Sequence, residues 1–118
     1  MKRLLIIGVL LCSSVFAIAN DSVSNVVTSN VITLTTANVA YEVLSENQYR
    51  RKATIINDSD ANIYINEGYS SPTTNFGIRL NANGGAYEIN LSNPSFKAWY
   101  AICASAAKDV RTTEGSRR

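Results

Sequence analysis

RRKATIINDSDANIYINEG, residues 50–68, is the stretch whose reading decides the fold. Ala53, Thr54, Ile55 and Ile56, and then Ile63, Tyr64 and Ile65, are mostly β-branched or aromatic, and such side chains suit a pleated, half-buried surface. Between the two runs stand Asn57, Asp58, Ser59, Asp60 and Ala61. Asn and Asp tolerate left-handed backbone and hydrogen-bond their own turns. The stretch therefore reads as two strands joined by a tight reversal, a β-hairpin.

Working outward, the same signals recur. Upstream, Val31 to Thr36 and Val39 to Leu44 are β-prone, with a helix over 39–48 as the alternative because Ala, Glu, Leu and Gln favour helices. Residues 20–30, NDSVSNVVTSN, are small and polar and read as a flexible lead-in or a weak edge strand. Downstream, residues 68–76, GYSSPTTNF, form the longest irregular stretch, with Pro72 denying a ladder hydrogen bond. Loops of this kind carry contacts, which makes Tyr69 and Phe76 candidate interface residues. Residues 77–80 and 86–90 flank Asn83-Gly84, a strong reversal signal, and read as a second hairpin.

Residues 96–103, FKAWYAIC, are apolar on both faces, Ala98, Tyr100 and Ile102 on one and Trp99, Ala101 and Cys103 on the other. Such a strand belongs inside a sheet, with its second face covered by a neighbour or a subunit, and Trp99 joins the candidate interface. Residues 109–113 make a last strand, and 115–118 a polar tail. Seven to eight short strands at a spacing of about 8 to 12 residues predict an all-β domain over residues 31–114. Its expected form is a single antiparallel β-sandwich or a jelly-roll-like barrel.

The N-terminus has a different character. Lys2 and Arg3 precede LLIIGVLL, and Ala17-Ile18-Ala19 closes the segment, the order of a secretory signal peptide cleaved before Asn20. The alternative is an apolar arm, residues 1–19, that packs on a partner subunit; membrane contact is expected only through this segment if it is retained. Cys12 belongs to the apolar run, which leaves Cys103 alone and no internal disulfide. Without Lys2 and Arg3, nine basic residues stand against nine acidic ones. That balance gives no argument for nucleic acid and mildly favours life inside an assembly.

Chemistry is sparse. The chain has no histidine, which excludes imidazole metal sites and histidine-based triads. Cys103 lies in an apolar run and reads as a buried, inert thiol. Asp58, Asp60 and Asn62 make D-x-D-x-N, the front of a calcium loop, but neither the glycine nor the glutamate that would complete it follows. No cofactor or metal is expected. Glu67, Glu88 and Asp109 are the carboxylates an enzyme would use, and nothing in their spacing groups them. Arg50, Arg51 and Lys52 form the basic run, read as a solvated strand start or an inter-subunit ion pair, so Arg50 and Arg51 complete the candidate interface.

Residues 31–116 resemble small virion structural proteins of tailed bacteriophages, of the head-decoration or virion-stabilising type. The likeness lies in the order of VITLTTANV, QYRRKATIINDSDANIYINEG, FGIRLNANGGAYEIN and AWYAICASAAKDVRTTEGS. It implies a noncatalytic β-sandwich, often oligomeric, that binds other virion subunits or its own copies and resides in the virion. A signal peptide departs from that pattern and implies instead an exported binding module in the periplasm or outside the cell.

Overall fold

The computed structural model describes residues 25–68 and 77–117. They form eight strands: β1 (Asn25–Leu34), β2 (Tyr41–Leu44), β3 (Arg50–Asn57), β4 (Ile63–Glu67), β5 (Ile78–Leu80), β6 (Ala86–Ile89), β7 (Trp99–Ile102) and β8 (Lys108–Arg117). Among the described residues there is no helix, so the helical alternative for 39–48 falls. The strands make two four-stranded sheets, ordered β1-β8-β3-β6 and β2-β7-β4-β5, with every pairing antiparallel. The neighbours β1·β8, β2·β7, β3·β6 and β4·β5 are the pairs that one long antiparallel ribbon produces when it is rolled up. This is the jelly-roll form of the sandwich.

That topology corrects the reading of residues 50–68. β3 and β4 lie in opposite sheets, so the chain reversal at 57–62 is a corner between sheets and not a hairpin. The second expected hairpin, around Asn83-Gly84, is likewise a corner, between β5 and β6. Both reversals lie where the turn formers put them, but the strands that flank each one pair elsewhere. The two corners grip each other instead: Asn57 N donates to Gly85 O at 2.8 Å, Gly84 N to Asn57 O at 2.8 Å, and Asn83 N to Ser59 O at 2.7 Å.

The core lies between the sheets because each strand alternates. Leu34, Ile55 and Val110 point inward from one sheet and meet Ile63, Ile65 and Ala101 from the other, all at 0% exposure. Burying one such Leu, Ile or Val side chain stabilises the fold by about 1.5–3 kcal/mol. β7 is central in its sheet, as its doubly apolar pattern requires, and turns Trp99, Ala101 and Cys103 into the core. Several boundaries differ from expectation: β2 begins at Tyr41 and not Val39, and β7 begins at Trp99, leaving Phe96 to Ala98 in the preceding loop. β1 starts at Asn25, inside the expected lead-in, and β8 runs to Arg117 through the expected tail. The two strands pair without interruption from Asn25↔Arg117 to Leu34↔Lys108, and this partnership orders polar residues that look like loose ends when read alone.

Candidate interaction surface

Arg50 organises one end of the sandwich. Strand alternation would turn it outward with Lys52, but an irregularity between Arg50 and Lys52 in the β3·β8 ladder reverses its direction. Arg50 is 3% exposed. Its Nε donates to Glu114 Oε2 at 2.6 Å, its Nη1 to Ser95 O at 3.1 Å and Lys97 O at 2.9 Å, and its Nη2 to Ser45 O. Asn47 Nδ2 holds the other carboxylate oxygen, Oε1 of Glu114, at 2.6 Å. The guanidinium fork thus ties the β2–β3 and β6–β7 loops to β8. Arg50 is an internal clamp and leaves the candidate interface.

Trp99 leaves it too. The indole is 2% exposed, donates from Nε1 to Ser95 Oγ at 2.9 Å and packs at 5.0 Å between ring centroids against Tyr87. Arg51 remains exposed, turned out by the same irregularity that turns Arg50 in. Tyr69 and Phe76 lie outside the described residues.

Around the Arg50 clamp the structure assembles an exposed apolar patch. Tyr49 is 56%, Leu91 75% and Phe96 49% exposed. They line a groove of about 360 Å³ together with Ile89, Arg51 and Arg117, and an adjoining hollow is edged by Val27, Lys52 and Leu91. Each patch residue is set by backbone bonds. Tyr49 O accepts from Arg117 N at 2.9 Å, and Phe96 O from Asn47 N at 2.8 Å. Asn90 Oδ1 accepts from Ser92 N at 2.9 Å and Asn93 N at 3.0 Å, so the turn closes on itself and leaves Leu91 at its tip. The groove's lining sets the apolar Tyr49, Ile89, Leu91 and Phe96 beside the cations Arg51 and Arg117, and Lys52 edges the adjoining hollow. Leu91 was the detectable signal: a leucine in the centre of Asn90-Leu91-Ser92-Asn93, where turn chemistry gives it nothing to pack on.

The opposite end is occupied by structural polar contacts. Asp58 pairs with Arg111, Asp60 with Lys108, and Asn62 Oδ1 accepts from Ala82 N at 3.1 Å. The three residues of D-x-D-x-N thus turn to three different partners. Lys108 holds the Asp60 carboxyl below its ordinary value, mainly by hydrogen bond and then by charge, and Asp60 raises Lys108 in return. Among the described residues no three His, Cys, Asp or Glu side chains group as metal ligands. Cys103 is free and 1% exposed, with Sγ at 3.4 Å from Asn62 O. Glu67 accepts from Ser95 Oγ at 2.7 Å and Asp109 from Thr33 Oγ1 at 2.7 Å, while Glu88 lies on β6. Comparison with protein-family models, with curated proteins and with solved structures found no match.

Proposed function

We propose that the chain is a noncatalytic virion structural subunit, a capsid decoration or stabilising protein that acts through protein–protein contacts. The observation that carries this reading is the Tyr49–Leu91–Phe96 groove with its basic rim. Large exposed apolar groups beside cations fit a partner surface that offers apolar side chains framed by carboxylates. Arg50 holds the loops that present the patch, so little ordering entropy opposes docking. Jelly rolls serve as capsid subunits and also as lectin and cupin domains, so the fold agrees with the reading without selecting it. The resemblance of the sequence blocks over residues 31–116 to phage virion proteins favours the capsid over the others.

The test is co-sedimentation with phage particles from cells producing the chain. Wild type should travel with the particles in many copies, and Leu91→Asp with Phe96→Asp should lose association while melting close to wild type, since surface changes cost at most about 0.5 kcal/mol. Absence of the wild-type chain from particles, or undiminished association of the variant, would overturn the reading. The basic start, apolar run and Ala17-Ile18-Ala19 favour a second reading, an exported binding module using the same groove. A native chain beginning near Asn20 in the cell envelope or medium would establish it.

A further inference from the structure

Four strands lie at the sheet edges: β1 and β6 in one sheet, β2 and β5 in the other. Three carry the devices that keep an edge from pairing with another chain. β6 has four residues and bears Glu88, β2 has four, bears Glu42 and is irregular in register, and β5 has three and bears Arg79. β1 has none of them. Its ten residues, NVVTSNVITL, include no charge and no proline, and its ladder with β8 runs without a bulge. Among the described residues its outer edge pairs with nothing.

The order of residues along β1 says what fits that edge. From Asn25 to Thr33 the sequence is polar, apolar, apolar, polar, polar, polar, apolar, apolar, polar, a palindrome of character centred on Ser29. We infer that β1 is a homotypic docking edge, pairing antiparallel with β1 of a second copy about a two-fold axis through Ser29. In that register Val27 faces Val31 of the second copy on the outer face of the sheet. Both are solvent-exposed in the single chain, at 59% and 54%. On the inner face Val26 meets Ile32 and Thr28 meets Asn30, while Ser29, on the outer face between the two valine pairs, meets its own equivalent.

Shifting the centre by one residue sets Val27 opposite Ser29 or Thr33 and loses the match on both faces. Shifts that place the axis between residues are excluded, because directly opposed residues must point to the same face. An uncharged strand also meets its own copy without like charges, and a self-complementary patch is what a two-fold interface requires. The product is one continuous eight-stranded sheet. This pairing stands without the capsid reading, since it uses β1 and not the Tyr49–Leu91–Phe96 groove.

The experiment is sedimentation equilibrium of the full-length chain, with cysteine cross-linking as the geometric check. Wild type should be a dimer. Val27→Glu with Val31→Glu places like charges opposite each other twice and should weaken dimerisation by about tenfold or more. Val27→Lys with Val31→Glu sets opposite charges in those places and should restore it. Ser29→Cys in a Cys12→Ser background should cross-link on mild oxidation, because opposed residues of an antiparallel pair lie about 4.5–5.5 Å apart at Cα, within disulfide range. Cys103, buried in the core, does not compete. A monomer, a dimer indifferent to the paired glutamates, or no cross-link at position 29 would each overturn the inference. Unchanged melting of the variants, followed by Trp99 fluorescence, separates lost pairing from lost folding.

Discussion

Asn57 shows how much one side chain can settle. It is completely buried, and its Nδ2 points among the carbonyls of Ala61 at 2.8 Å, Leu80 at 2.9 Å and Asn81 at 3.1 Å. Its Oδ1 accepts from Ser59 Oγ at 2.7 Å and Ser59 N at 3.1 Å. One amide thus satisfies the turning backbone of both corners and holds them together. Asn57→Asp keeps the shape and removes both donors, leaving buried carbonyls facing a carboxylate. Each unsatisfied buried group costs about 1–3 kcal/mol, so a loss of about 3 kcal/mol or more is expected in urea unfolding followed by Trp99 fluorescence. A loss below about 1 kcal/mol would show that the amide is dispensable. The same burial removes Asn57 as a glycosylation acceptor in the folded chain, although Asn57-Asp58-Ser59 has the required order. From sequence Asn57 was visible as a turn residue, but its three carbonyl partners were not, because two of them lie more than twenty positions away.

At the scale of elements, strands were legible and partners were not. Period-two alternation and turn formers mark where a strand runs and where it ends, and they are the same for a hairpin and for a corner between sheets. What distinguishes the two is the strand that lies alongside, and for β3 that strand is β8 or β6, not β4. Arg50 departs from its expected place for a related reason: a ladder irregularity turns it inward and Arg51 outward, and no local pattern announces it. The second corner carries a sharp test of the topology. A Cβ on Gly85 would stand 2.4 Å from Asn81 N and 2.5 Å from Asn81 O, both backbone atoms, and Asn81 O is held by Gly85 N and Asn57 Nδ2. Gly85→Ala should therefore destabilise by about 1–3 kcal/mol, the usual cost of forced overpacking, despite the gain in local stiffness alanine normally brings. A hairpin with Gly85 in an open loop would accept alanine, so thermal melts of this one variant discriminate the two arrangements.

The whole molecule is fastened at both ends by ion pairs, and the two ends differ in their exposure. The Arg50–Glu114 pair is shielded, whereas Lys108–Asp60 is open, with Asp60 77% exposed at its side chain. Because Lys108 holds the Asp60 carboxyl below its ordinary value, the unfolded chain takes up that proton first as the pH falls. The stability Asp60 contributes is therefore present above about pH 4 and lost as the pH falls through the lowered folded value. Lys108, raised by the same contact, contributes below about pH 10.4 and loses that contribution as the pH climbs through its folded value. Asp60→Asn should melt below wild type across the neutral range. The two curves should converge as wild type is protonated in acid. At about 1 M salt the neutral-pH difference should shrink, because an exposed pair is screened while a core contact is not. A difference independent of both pH and salt would mean that Asp60 acts through the shape of the 57–62 corner, not through its charge. The corner would then be tied to β8 by the Asp58–Arg111 pair and the bond from Asp58 N to Asp109 O, and held within itself by Asn57.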